Sequence, residues 1–141
     1  MKLLYHFTSL FNLENVGPDN ILVVGLRERP VRDWWFLEGR AGVWLTTNPD
    51  LPSDARPHAS YSEVRIEVRI PSSDRALVDI PKLMRRHLSP AAITNVDLTG
   101  WEWRNFYLYE GDIPVDRFVA VEYADAARRE EIIMKRASPE D

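Results

Sequence analysis

Cysteine is absent from the 141-residue sequence. That removes disulfides, thiolate zinc sites and thiol nucleophiles together, and it fits a reducing compartment. Long apolar runs are absent as well. Runs such as Ile21 to Val24 and Phe118 to Val121 fall far short of the roughly 20 residues a membrane-spanning helix needs. The opening residues Met1-Lys2-Leu3-Leu4-Tyr5-His6 are interrupted by His6, Thr8 and Ser9, and no small-residue cleavage site of a secretory signal follows. The expectation is a cytoplasmic protein that neither enters nor crosses a membrane. The sequence also lacks a Gly-rich phosphate loop, a G-x-G-x-x-G fingerprint and a G-x-S-x-G elbow. Its three histidines, His6, His58 and His87, show no metal-ligand spacing, so no metal site is expected.

What is present describes an ordinary globular domain. The apolar fraction is 45% and the charged fraction 28%, enough for a chain of this length to bury a core without staples. One domain is expected over residues 1–135, with 136–141 as a tail. The net charge of −4 repels nucleic acid at long range and disfavours a large duplex-binding footprint. Two local basic patches survive in that balance. One holds Arg27, Arg29, Arg32 and Arg40 interleaved with Glu28, Asp33 and Glu38; the other is Lys82, Arg85, Arg86 and His87. Solvated surface charge is the plain reading of both.

Along the chain, Leu3 to Phe7 reads as a short strand. Thr8 or Ser9 can cap a following helix with Leu10, Leu13 and Val16 at helical spacing, stopped by Gly17-Pro18. Ile21 to Val24 is a short buried run ended by Gly25, and residues 27–40 are ambiguous. Gly42 to Thr47 is a strand. Residues 48–60 carry three prolines and no periodicity, which makes them a candidate lid or substrate loop. Val64, Ile66, Val68 and Ile70 alternate with Glu63, Arg65, Glu67 and Arg69, as a strand with one buried face requires. Pro81 opens a helix through Leu88. Trp101 to Glu110 is expected as a long aromatic strand that turns at Gly111-Asp112 into a hairpin with Phe118 to Tyr123. Ala124 to Lys135 reads as a closing helix. Strands and helices mix without strict alternation, which predicts an α+β fold.

Three segments carry chemical promise. In Tyr5-His6-Phe7-Thr8-Ser9, His6 and Thr8 project on one side of the strand, beside helix-start N–H groups suited to a ribose hydroxyl or phosphate. In Gly42-Val43-Trp44-Leu45-Thr46-Thr47, an aromatic ring sits beside short hydrogen-bonding groups; core packing is the competing use of Trp44. The third segment, Asn105 to Phe118, is aromatic in its first strand and carries Glu110, Asp112 and Asp116 near its turn.

Taken in order, these segments resemble the ADP-ribosyltransferase-like superfamily, which includes poly(ADP-ribose) polymerases, DarT-type DNA-modifying toxins and RNA 2′-phosphotransferases. His6-Phe7-Thr8 is similar to the His-x-[Thr/Ser] element whose histidine holds a ribose of NAD. Tyr5 to Leu13 resembles the opening of the DarT-type enzymes. Gly42-Val43-Trp44 resembles the element whose aromatic ring flanks nicotinamide, and Phe106 to Phe118 resembles the final hairpin, including Ile113-Pro114. The resemblance implies a split β-sheet core with short flanking helices and NAD as cofactor. It also implies transfer of ADP-ribose to a macromolecular target, nucleic acid or protein, in a toxin-like bacterial or phage setting. It assigns the cofactor to His6, Thr8, Asn12, Trp44 and Thr46.

One departure bears on catalysis. The superfamily's glutamate on the last hairpin supports the ribose and its developing positive charge, and Phe106 stands at that place here, or Asn105 if the register slips by one. Glu110 and Glu102 share the Phe106 face by period two and are the candidate replacements, although each lies about 13 Å away at strand rise. RNA 2′-phosphotransferases dispense with that glutamate and use basic residues, for which Arg27, Arg29 and Arg32 are the candidates before Trp44. Two functions follow as expectations: NAD-dependent ADP-ribosyl transfer, or a catalytically degenerate nucleotide-binding or protein-interaction module of the same fold.

Overall fold

A computed structural model describes residues 1–8, 21–32, 35–49 and 64–123. Among them the chain forms β1 (Lys2–Thr8), α1 (Ile21–Val24), β2 (Arg29–Pro30), β3 (Ala41–Thr46), β4 (Val64–Ile70) and β5 (Leu77–Asp79). It continues with α2 (Ile80–His87), α3 (Pro90–Asp97), β6 (Phe106–Tyr109) and β7 (Phe118–Tyr123). Single 3-10 turns cover Trp35–Leu37, Trp103–Asn105 and Val115–Arg117. The fold is α+β, built on a seven-stranded antiparallel sheet ordered β5-β6-β3-β1-β4-β7, with β2 paired to β3 outside that path. The expected helix after Ser9, the loop from Asp50 onward and the closing helix lie outside the described residues.

Strand alternation sets two cores, one on each face. Val64, Ile66, Val68 and Ile70 of β4 are fully buried and pack with Leu4, Val43 and Leu45, beneath Leu26 and Ile113. Burial of each such side chain is worth about 1.5–3 kcal/mol, which explains why β4 follows its sequence pattern so closely. On the opposite face, Leu108 meets Ile80 and Met84 of α2, Val96 of α3 and Trp103. Asp79 caps α2 by accepting the Lys82 N–H at 3.1 Å, and Pro81 sits in the first turn. Ser89 and Pro90 do the same for α3, with Ser89 Oγ accepting the Ala92 N–H at 3.2 Å.

The expected long strand from Trp101 to Glu110 is instead a 3-10 turn followed by a four-residue strand. The cause is tertiary. Trp103 is buried, its indole N–H donates to Asp97 at 2.6 Å, and Arg104 donates to both oxygens of the same carboxylate. These bonds coil residues 103–105 toward the end of α3. The expected hairpin is also absent: β6 pairs with β3 and β5, while β7 pairs with β4 at the opposite edge of the sheet. Between them Ile113 is pinned to Leu26 by two main-chain bonds of 2.7 and 2.8 Å, and the 3-10 turn at Val115 carries the chain across. Helix α3 and strand β5 are not foreshadowed by the sequence pattern. Among the described residues no helix is long and apolar enough to cross a membrane, and no group of three or more His, Asp or Glu is poised to hold a metal ion.

Candidate functional site: a fork between two strands

β1 pairs with β4 over seven residues but with β3 at one position, Tyr5 opposite Thr46. Beyond it the first strand and the third separate, and β2 takes the far end of the same β3 edge, with Arg29 opposite Gly42. Main-chain direction follows from the bonds that flank the gap. Arg40 C=O accepts the Val31 N–H on the β2 side, whereas Thr47 N–H donates to Asn105 C=O on the β6 side. Even-numbered residues of β3 therefore present both N–H and C=O to the fork. By the same alternation Tyr5 and Phe7 present theirs from β1. The N–H and C=O of Phe7 and the N–H of Trp44 thus face an opening that no described strand fills.

One side chain spans the gap. His6 Nδ1 lies 2.8 Å from the carbonyl oxygen of Trp44. A carbonyl only accepts, so Nδ1 carries the proton and Nε2 of the neutral ring keeps a lone pair for a ligand donor. Burial holds the His6 pKa below its ordinary 6.5; the Trp44 carbonyl opposes that shift and the Arg29 charge adds to it. Between the folded and unfolded values the unfolded chain binds more protons, so stability is complete above pH 6.5 and falls as pH drops below it toward the folded value. Denaturant midpoints measured from neutral to acid pH should decline through this window, and His6→Gln should flatten that part of the profile. An identical profile in the variant would exclude His6 as its source.

The cleft has a volume of about 340 Å³, within the range of small-ligand sites. Its described walls include His6, Phe7 and Thr8 from β1, Arg27 and Arg29 from the Gly25–Pro30 segment, and Trp44 from β3. Thr8 is buried. Gly25 fixes the approach of the arginine-bearing segment. Its φ is +85°, and a Cβ there would lie 2.2 Å from the Ile113 oxygen. Arg27 and Arg29 both line the cleft, while the Glu28 N–H between them donates to Asp112 Oδ1 at 2.8 Å. The described wall therefore combines two guanidinium groups, a neutral imidazole, a hydroxyl and main-chain amides, with no carboxylate among its described residues.

No family model, curated protein or solved structure matches this chain. Its function has to be read from the geometry of the fork.

Of the residues singled out from sequence, the structure brings His6, Thr8 and Trp44 to one cleft. Asn12 lies outside the described residues. Thr46 is buried beside the Tyr5 pairing, where its Oγ1 accepts the Asn48 N–H at 3.1 Å. Because Tyr5 and Thr46 stand opposite one another, Trp44 and Thr46 point to the sheet face opposite His6 and Thr8. The Trp44 ring packs edge-on against Trp101 and Phe106, with centroids 5.5 and 6.0 Å away, while its carbonyl serves the fork. Glu110 pairs with Arg40 at 2.9 Å, and Glu102 accepts a bond from Asn48 Nδ2 at 3.2 Å. Neither carboxylate is among the cleft's wall residues. The 3-10 turn at residues 103–105 also removes the period-two relation between Glu102 and Phe106. Sequence reasoning missed the Phe7 main chain, which only a strand register reveals. It read Arg27 and Arg29 both as a surface patch and, through the resemblance, as candidate basic site residues; the structure brings both to the His6 cleft.

The placement of the Trp44 ring gives a direct expectation. Trp44→Phe removes part of an edge-to-face cluster and should lower unfolding free energy by about 1–2 kcal/mol. Affinity of the cleft for a small ligand bound at the His6 side should stay within a factor of about two. A loss of tenfold or more per folded molecule would mean that the indole stacks on the ligand.

Proposed function

We propose that this chain binds a nucleotide of the NAD or ADP-ribose type in the fork between β1 and β3. The single observation that carries the reading is the convergence of His6, bridged to the Trp44 carbonyl, with Arg27 and Arg29 on one cleft. Guanidinium groups suit a pyrophosphate, because their planar N–H forks match phosphate oxygens. The neutral Nε2 of His6 suits a ribose hydroxyl donor. The outward N–H and C=O of Phe7 form a donor and acceptor pair complementary to a carboxamide, the polar group of nicotinamide. The His6-Phe7-Thr8 element on this cleft is what supports the ADP-ribosyltransferase-like resemblance, whose final hairpin does not form among the described residues.

Between binding and transfer, the wall chemistry favours binding. Breaking the bond to nicotinamide sends its electron pair to the leaving base and leaves positive charge on the ribose, which a nearby carboxylate would stabilise. Glu110 is engaged by Arg40 and Glu102 by Asn48, and the cations of the described wall oppose such charge. The proposed role is therefore a nucleotide-binding module that holds its ligand intact. Incubation of the protein with NAD and chromatography of free nicotinamide tests this: saturable NAD binding without release is expected. Nicotinamide release that is abolished by Glu110→Gln would establish cleavage of NAD instead.

A further inference from the structure

The second basic patch is not absorbed by the cleft. Lys82, Arg85, Arg86 and His87 are all exposed on α2, whose buried side carries Ile80, Leu83 and Met84. None of these four side chains makes an ion pair among the described residues. Part of the patch has a local explanation, since Arg85, Arg86 and His87 occupy the last turn, where cations complement the helix dipole. Lys82 does not. It stands three residues after the Asp79 cap, at the positive end of the helix, where a glutamate would close a capping box. It also lies three and four residues before Arg85 and Arg86, so like charges face each other along one stripe. In a chain of net charge −4, a lysine that opposes both the dipole and its cationic neighbours is not what stability alone selects.

We infer that the outer face of α2 docks the sugar–phosphate backbone of a nucleic acid. Charge complementarity identifies the occupant. Arginine offers bidentate donors to phosphate. The exposed large apolar side chains among the described residues are Met1, Leu3, Leu98 and Val119, none of them on α2. The helix therefore shows neither the apolar face that an interfacial membrane helix inserts nor the aromatic anchor of a protein hot spot. A partner with repeated anionic groups needs only the charges. Helix α2 covers the sheet face opposite the His6 side chain, so this contact is independent of the cleft and of the nucleotide reading. Three charges make a small footprint, and the contact is weak and independent of sequence.

Fluorescence anisotropy of the full chain with a short labelled single-stranded oligonucleotide and with its duplex tests the inference. Counterion release at about 0.7–0.9 per phosphate predicts a log–log salt slope of about −2 to −3, or roughly 20–40-fold weaker binding between about 50 and 200 mM salt. The variant Lys82→Gln/Arg85→Gln/Arg86→Gln should bring that slope close to zero with an unchanged circular dichroism spectrum. Lys82→Glu alone should weaken binding while raising the Tm by a few degrees, as a completed capping box requires. No binding at low salt, or binding that the triple variant leaves intact, overturns the inference. Equal affinity for a polyglutamate peptide or for anionic vesicles would overturn it too, by assigning the face to an acidic protein or a lipid surface.

Discussion

Gly25→Ala should destabilise the chain by about 3–4 kcal/mol, a large share of the roughly 5–15 kcal/mol that holds a domain of this size together. Two effects add. A residue with a side chain at φ +85° costs about 1–2 kcal/mol. The new Cβ would also lie 2.2 Å from the Ile113 oxygen and 2.9 Å from the Pro114 Cα. Both are main-chain atoms, and neither can retreat without opening the two bonds between Leu26 and Ile113, each worth about 1 kcal/mol net. Gly39→Ala is the matched control, because Gly39 has the same φ of +85° and a Cβ added there would meet no atom within 4 Å. It should lose only the conformational part. Urea unfolding of the two variants separates strain from collision, and equal losses would show that the Ile113 contact is not what fixes the segment. The functional consequence travels with the fold. Displacement of Gly25 moves Arg27 and Arg29, so folded Gly25→Ala protein should bind nucleotide poorly.

Arg29→Gln should weaken binding of ADP-ribose about 10–100-fold, the worth of one charge-assisted bond to phosphate at about 1.5–3 kcal/mol. Arg29 is exposed on β2 and makes no ion pair among the described residues, so stability should move by less than about 0.5 kcal/mol. The loss would then be one of recognition and not of folding. Arg29→Lys should restore part of it, since the charge returns without the planar fork. Arg27→Gln/Arg29→Gln should lose more than either change alone. Adenosine, which carries no phosphate, should be indifferent to both positions. If it loses affinity in parallel with ADP-ribose, the arginines shape the cleft and do not contact a pyrophosphate.

Much of the fold can be read from local pattern where one face of an element is buried. β4 is legible because every second residue is an aliphatic in the core, and α2 because Pro81 and an apolar stripe mark its start and its inner side. The span of β7 is also placed correctly, although it lies at the sheet edge with Phe118 and Val121 packed, half-buried, against the core. The failures share one physical origin, long-range partners. Trp101 to Glu110 has the composition of a strand, but the bonds from Trp103 and Arg104 to Asp97 coil part of it, and nothing local announces them. Gly111-Asp112 is a turn signal that cannot say which strand comes next to which, so β7 lands on β4 and not beside β6. In the site, His6 and Thr8 are correctly given a common side because that is a property of one strand. The side taken by Trp44 relative to them depends on the Tyr5–Thr46 register, which the sequence does not encode locally. The fork itself is a matter of pairing that stops, and only the arrangement of β1, β2 and β3 reveals it.

We propose the fork between β1 and β3 as a nucleotide site read by His6, Arg27 and Arg29. Titration calorimetry with ADP-ribose, on the natural chain and on Arg29→Gln and His6→Ala, tests it most directly. A saturable one-site isotherm is expected for the natural chain. Affinity should fall about 10–100-fold in Arg29→Gln and should also fall in His6→Ala, with both variants folded. A natural chain that gives no heat with either ADP-ribose or NAD at about 1 mM, where even an interaction of about −4 kcal/mol half-saturates, would contradict it. So would an isotherm that neither variant changes.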